Sequence, residues 1–304
     1  MKNYIVFDVG GTSVKYAIMN SNSEFLERDS YPSCTEDFKI FINQMIKVIE
    51  DYKQKYAIAG IALSCPGGVD SETGIIGGAS ALPCIHGPNF KEILLKETGL
   101  KAELENDANC AALGEVWIGA AKDNKDVLFV VCGTGIGGAV VKDKRIHKGA
   151  NLHGGEFGYM IMDICEENGE TVFKNWSDVG STIALVRTAA KLKNIEVSGI
   201  DGKKVFEMAE QGDKDCLEAI SRFYFNFAKG IFNIQYMYDP EKIIIGGAIS
   251  IREDFLERIN EKLDSIMNSI EIAKVRPIIQ KCEFNNDANL IGALYNYLQR
   301  QGEM

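Results

Sequence analysis

Residues 127–160 read VLFVVCGTGIGGAVVKDKRIHKGANLHGGEFGYM, and the fold is read outward from them. Residues 127–132 are a short apolar run rich in β-branched side chains, Gly133-Thr134-Gly135-Ile136-Gly137-Gly138 breaks it, and 139–141 resume it before Lys142-Asp143-Lys144 turns the chain. The pattern predicts strand, glycine loop, strand. Glycine tolerates positive φ and carries no Cβ to hold an anion away, so such a loop can aim several backbone N–H groups at one point. Phosphate is the natural guest. Taken alone, the loop serves as well as a tight hairpin turn that binds nothing.

The same design opens the chain. Residues 4–7 are an apolar strand, Asp8-Val9-Gly10-Gly11-Thr12 a loop, and 14–19 a second strand. Thr12 and Thr134 stand 122 positions apart. Two such units predict a two-lobed molecule closing on one phosphate chain from both sides. Asp8-Val9-Gly10-Gly11-Thr12, Glu105-Asn106-Asp107-Ala108-Asn109, Cys132-Gly133-Thr134-Gly135-Ile136-Gly137-Gly138 and Gly154-Gly155-Glu156-Phe157-Gly158 follow one another in the chain. In that order they resemble the motifs of the ROK family of sugar kinases and repressors, and the resemblance runs from Tyr4 to the last helix.

Composition sets bounds on this reading. The 304 residues suit one large or two medium domains with a real core. With 43 acidic against 33 basic residues, the net charge of −10 argues against nonspecific binding to nucleic acid or to an anionic membrane surface. The eight cysteines include no C-x-x-C pair, which predicts reduced thiols in a cytoplasmic protein. Asp8 cuts the first apolar stretch, so no secretory leader is expected. No run approaches the ~20 apolar residues of a spanning helix.

Helical spacing of Phe38, Phe41, Ile42, Met45, Ile46, Ile49 and Tyr52 predicts a helix over 36–53, after a third strand at 24–31. A buried strand at 57–63 ends in Ser64-Cys65-Pro66-Gly67-Gly68. The irregular stretch 70–90 is long enough to be a binding segment or a surface excursion. A helix at 90–98 stops at Gly99, a strand covers 102–105, and a helix follows at 108–117 with Asn106 or Asp107 as its cap. A carboxylate there is explained equally by capping and by catalysis. Further helices are expected at 181–193, 203–211, 213–238 and 252–267. The 213–238 helix should bury Leu217, Ile220, Phe223, Phe227, Ile231, Ile234 and Met237. Strands are expected at 242–245 and 275–282, and Asn285-Asn286-Asp287 should cap a last helix with Leu290, Leu294, Tyr297 and Leu298 on one face.

The resemblance implies more. The fold would be the two-lobed, actin-like (ribonuclease H-like) α/β ATPase fold, each lobe a mixed sheet flanked by helices. Residues 1–120 plus 285–304 would form the small lobe and 121–284 the large one, hinged near 119–124. ATP and Mg²⁺ are the implied cofactors, with Asp8 holding the metal through water. Gly10, Gly11 and Thr12 would cradle the phosphates from one side, and Gly133, Thr134 and Gly135 from the other, while Gly246 and Gly247 flank the adenosine. Asn106 and Glu156 would contact the sugar near Gly67, helped by Asn89 or residues 80–82, and Asp107 would be the general base that takes the proton of its 6-hydroxyl. A homodimer is implied as well.

Departures from the family pattern sharpen the substrate. Tyr159 replaces the usual zinc-binding histidine and no C-x-C-G-x-x-G-C follows, so no zinc site is expected. His147, His153 and Cys165 lack paired ligand spacing. Trp176 falls where zinc-bearing relatives place a sugar-contacting glutamate. Facing the sugar, it would leave room for a substituent on O1 and favour a β-glucoside; packed in the core, it would do neither. Glucose, N-acetylmannosamine and fructose are the alternatives. A sugar sensor without catalysis is the reading from another class, and an ATPase scaffold a third. The family's repressors carry a DNA-binding helix-turn-helix ahead of the first phosphate motif; with that motif beginning at Asp8, none is expected here.

Overall fold

In the computed structural model, which describes residues 1–78, 80–167, 169–284 and 287–304, the opening apolar run becomes the middle of a sheet. The chain first forms β1 (Asn3–Val9), β2 (Ser13–Asn20), β3 (Phe25–Pro32), α1 (Phe38–Lys53), β4 (Ile58–Cys65), β5 (Gly68–Asp70), β6 (Ile75–Gly77), α2 (Phe90–Thr98), β7 (Ala102–Asn106) and α3 (Asp107–Trp117). Then come β8 (Val127–Cys132), β9 (Ile136–Lys142), β10 (Arg145–Ile146), β11 (Ile161–Glu167), β12 (Glu170–Asn175), α4 (Trp176–Gly180), α5 (Thr182–Lys193), α6 (Gly202–Glu210) and α7 (Lys214–Tyr238). The chain closes with β13 (Lys242–Gly246), α8 (Phe255–Ser269), β14 (Ile279–Lys281) and α9 (Ala288–Gln301). Two compact units result: Met1–Asp123, Val141–Gly154 and Glu283–Met304 form unit 1, and Asn124–Val140 and Gly155–Cys282 form unit 2.

Unit 1 is built on the sheet β3-β2-β1-β4-β7. Strands β1 and β2 pair antiparallel with Asp8 opposite Lys15 and Val9 opposite Val14, so Gly10 to Thr12 is their turn. Strands β4 and β7 continue the sheet in parallel. Ile5 and Phe7 of β1 point into a core with Phe41, Met45, Phe90 and Leu94. Tyr4 and Val6 point the other way, into a core with Leu294, Tyr297 and Leu298 of α9. A strand covered on both faces reads as a continuous apolar run, because neither side-chain row faces water.

The second sheet, β10-β9-β8-β13-β14, repeats the plan: a hairpin followed by two parallel strands. The central members of the α7 stripe, Ile220, Phe223, Phe227, Ile231 and Ile234, fill the core of unit 2, whereas Leu217 and Met237 at its ends are exposed. The end turns of a long helix outrun the core that buries its middle.

Three expectations need correcting. Residues 141–154 group with unit 1 instead of lying in an unbroken 121–284 lobe, because Lys148 Nζ donates to Val69 O (3.0 Å) and pairs with Glu105 (2.8 Å), and Gln299 Nε2 donates to Lys144 O (2.9 Å). The last strand is Ile279–Lys281 only. The β5–β6 hairpin runs from Gly68 into the 70–90 stretch, and an unforeseen hairpin, β11–β12, occupies the region of the family's cysteine cluster. Asn285 and Asn286 lie outside the described residues. Asp287 stands at the cap of α9 without a side-chain capping bond and instead pairs with Arg28 at 2.9 Å. Among the described residues no helix is long and apolar enough to cross a membrane.

Candidate active site

Strand β7 runs directly into α3, and the junction sets the geometry of unit 1. Asn106 is the N-cap: its Oδ1 accepts from the N–H groups of Ala108 (2.9 Å) and Asn109 (3.2 Å). Its Nδ2 donates to Gly67 O at 3.0 Å, tying the start of the helix to the loop after β4. Asp107 is therefore the first helical residue, and its Oδ1 accepts from Ala108 N–H at 2.8 Å. Burial pushes the Asp107 carboxyl above the usual carboxylate range; the Ala108 N–H opposes that rise and the charge of Asp8 adds to it. Beneath the junction Glu105, 2 % exposed, accepts from Asn106 N–H (2.8 Å), Asn109 Nδ2 (2.9 Å) and Ser71 Oγ (2.9 Å).

Asp8 ends the buried part of β1. Its Oδ1 accepts from Ser64 Oγ (3.0 Å) and Asn289 Nδ2 (2.9 Å), leaving Oδ2 without a hydrogen bond among the described residues. The turn beside it is held by Ser33, whose Oγ donates to Gly10 O (2.6 Å) and whose N–H donates to Thr12 O (3.0 Å). At Gly11 a Cβ would fall 2.8 Å from Ala81 Cβ, and Gly67 has φ +99°. Unit 1 thus brings Asp8, Gly10, Gly11, Thr12, Gly67, Asn106 and Asp107 to one end of its parallel strands. A hard oxygen donor with an open lone pair, beside a turn whose carbonyls are engaged, fits a Mg²⁺-nucleotide phosphate.

Unit 2 assembles the other motifs. Gly133 O accepts from Thr182 N–H (3.0 Å) and Thr182 Oγ1 (2.7 Å) at the start of α5, and Ser177 Oγ accepts from Ile136 N–H (2.9 Å). Those anchors fix the loop and leave Thr134 and Gly135 exposed. Gly247, with φ +99°, lies against the end of β8, where a Cβ would meet Cys132 O at 2.2 Å. Gly246 and Gly247 are thereby neighbours of the Gly133 loop. Gly155 and Gly158 seat the segment of exposed Glu156 on β9: a Cβ at Gly155 would come 2.7 Å from Ala139 Cα, and one at Gly158 2.1 Å from Ile136 O.

One expected contact fails. Trp176 is fully buried in the core of unit 2, 5.5 Å from Phe227 between ring centres, in space that Gly180 and Gly230 leave open. The large indole gains more by filling that space than by facing solvent or a sugar. Asn89 is the N-cap of α2, its Oδ1 accepting from Glu92 N–H at 3.1 Å. Among the described residues no three His, Cys, Asp or Glu side chains gather as a metal site. Ser33, Ser64, Ser177, Thr182 and Asn289 escaped the sequence reading, because single serines and amides carry no spacing signal and act through residues far away in the chain.

The family described as ROK matches residues 4–300. A β-glucoside kinase of Listeria monocytogenes is 31% identical, covering 97% of this chain and 97% of its own length. A glucokinase of Halalkalibacterium halodurans is 29% identical over 99% of this chain and 96% of its own. The crystal structure of a ROK family protein from Streptococcus pneumoniae in complex with sucrose superposes with a TM-score of 0.88 at 36% identity, covering 99% of this chain and 100% of that one.

Proposed function

Since the chain belongs to the ROK family and is a sugar kinase with the actin-like ATPase fold, we propose that it transfers the γ-phosphate of ATP to the 6-hydroxyl of a glucose-type sugar or β-glucoside. The observation that carries this reading is the Asn106–Asp107 junction. A capped helix holds one half-buried carboxylate whose pKa is raised by desolvation. A base works best when its pKa approaches the working pH and it is still ionised, so the burial that raises Asp107 suits proton abstraction from a hydroxyl. Asn106, with the Gly67 backbone it fastens, orients the sugar, and Glu156 contributes a second carboxylate for its hydroxyls. Gly10 N–H donates to Ser13 O and Gly133 N–H to Gly135 O, both at 3.0 Å, so the N–H groups of Gly11, Thr12, Thr134 and Gly135 hold phosphate oxygens, and Gly246–Gly247 let the nucleotide approach the backbone. Mg²⁺ bound beside Asp8 supplies charge neutralisation on the phosphates. Phosphoryl transfer asks for little else than positioning and charge stabilisation.

The β-glucoside preference is supported by the kinase from Listeria monocytogenes; sucrose, whose glucose unit is an α-glucoside, supports only room for a substituted anomeric oxygen. Burial of Trp176 withdraws the argument from an aromatic wall. Glucose is the second reading, favoured by the glucokinase relative. The deciding experiment measures ADP release with Mg-ATP against glucose, mannose, fructose, N-acetylmannosamine, N-acetylglucosamine and cellobiose. Cellobiose should have the highest kcat/KM; glucose turning over while cellobiose stays inert would replace the β-glucoside reading by a glucokinase.

A further inference from the structure

We propose that His86, acting with Ser80, is a specificity-determining contact for a hydroxyl of the acceptor sugar. The proposal rests on the assignment of Asn106 and Asp107 as the acceptor end of the site. Three observations within unit 1 place the loop that carries this pair. Ala81 Cβ lies 2.8 Å from where a Cβ on Gly11 would stand, so the loop lies against the first phosphate turn. His86 Nε2 lies 3.5 Å from the corresponding point on Gly67. Gly67 is the residue whose carbonyl Asn106 Nδ2 holds, one residue before the base. A segment touching both Gly11 and Gly67 borders the phosphate and acceptor ends together.

The chemistry of the pair suits a hydroxyl. Ser80 Oγ and His86 Nε2 are 2.8 Å apart, and Ser80 Oγ also accepts from Leu82 N–H at 3.2 Å. Among the described residues no hydrogen bond engages His86 Nδ1. If the hydroxyl donates to Nε2, the imidazole proton sits on Nδ1 as a free donor and Ser80 Oγ keeps one free lone pair. If Nε2–H donates to Oγ, the serine proton becomes the free donor and Nδ1 the free acceptor. Either tautomer leaves one donor and one acceptor over, which is the complement of an alcohol. Both residues are half-buried, so the capacity remains within reach of a ligand. The β5–β6 hairpin fixes the far side, with Gly87 N–H donating to Ile76 O at 3.0 Å. A loop fastened at that point and packed on Gly11 holds the imidazole in place before the sugar arrives.

The test compares His86→Leu, which removes both functions, with His86→Gln, which restores a donor and an acceptor, and with Ser80→Ala as the milder variant should leucine disturb folding. Calorimetric titration with cellobiose and with glucose, without nucleotide, is paired with KM for sugar, KM for ATP and the melting temperature. His86→Leu should weaken sugar binding and raise the sugar KM roughly tenfold, about the worth of one hydrogen bond, while KM for ATP and the melting temperature hold. His86→Gln should recover most of the loss, and Ser80→Ala should show a smaller rise. Sugar affinity within twofold of the wild type in both His86→Leu and Ser80→Ala would overturn the proposal and leave the kinase reading intact. An equal loss for sugar and ATP with a lowered melting temperature would overturn it in favour of loop fastening. A wild-type protein that binds neither sugar would overturn this proposal together with the acceptor assignment beneath it.

Discussion

Asp107 concentrates the conflict between stability and chemistry. Its folded pKa lies above the unfolded carboxyl value of about 3.9. The group therefore favours the fold while protonated: that contribution is complete below the unfolded value and is lost as pH rises through the folded one. At neutral pH the ionised carboxylate costs the fold stability. Asp107→Asn keeps an oxygen for the Ala108 N–H and removes the charge, so it should melt at a higher temperature than the wild type at pH 7, with the gap closing toward pH 4. The same variant should lose turnover by roughly 10²–10⁴-fold, the usual worth of a positioned base. Near-normal turnover would remove Asp107 from its role. In the wild type, the acid limb of kcat/KM should fall at a pH above that of an ordinary aspartate, which a pH–rate profile reads directly. The residue type was legible in the sequence, whereas its tuning was not: the neighbouring charge of Asp8 comes from β1, on the other side of β4.

At the scale of elements, α3 is held where it is by α9. A Cβ on Gly292 would stand 1.6 Å from Cys110 O, and one on Gly114 2.7 Å from Ala288 O, so the two helices meet backbone to backbone. Asn289, one turn from Gly292 on α9, donates to Asp8. The helix thus supports both α3, which carries the proposed base, and Asp8 beside the Gly10–Thr12 turn. Gly292→Ala should cost on the order of 1–3 kcal/mol through overpacking, read as a lowered urea midpoint. Because α3 must then shift, turnover should fall further than the lost stability explains, while Gly302→Ala, with nothing near its Cβ, should leave turnover unchanged. The apolar stripe of α9 predicts that a helix exists over 288–301, yet two glycines in helical patterns read as weak spots until the partner helix is seen.

For the whole molecule, the two sheets repeat one strand plan, a hairpin with a glycine turn followed by two parallel strands, and this repetition is what the Thr12 and Thr134 motifs announced. Mg-ADP should stabilise the protein by mass action, about 2.7 kcal/mol at a hundredfold excess over its Kd. Differential scanning fluorimetry with and without EDTA should show the metal-dependent part of that gain, and Asp8→Ala should lose it. An EDTA-insensitive gain that persists in Asp8→Ala would take the metal away from Asp8.

By itself, the sequence determined the motifs and most of the elements, but not the β5–β6 and β11–β12 hairpins. Apolar runs broken by glycine are legible because strand and turn preferences are local, and the Asn106-Asp107 pair is legible because a cap and a helix start are neighbours in the chain. Tertiary structure alone decided what those residues meet. It buried Trp176, since only the vacancies at Gly180 and Gly230 make room for an indole; it turned Asn89 to its helix; and it brought His86 to Gly67 and Asn289 to Asp8. Such choices depend on contacts between residues tens to hundreds of positions apart, where no periodicity in the chain carries a signal.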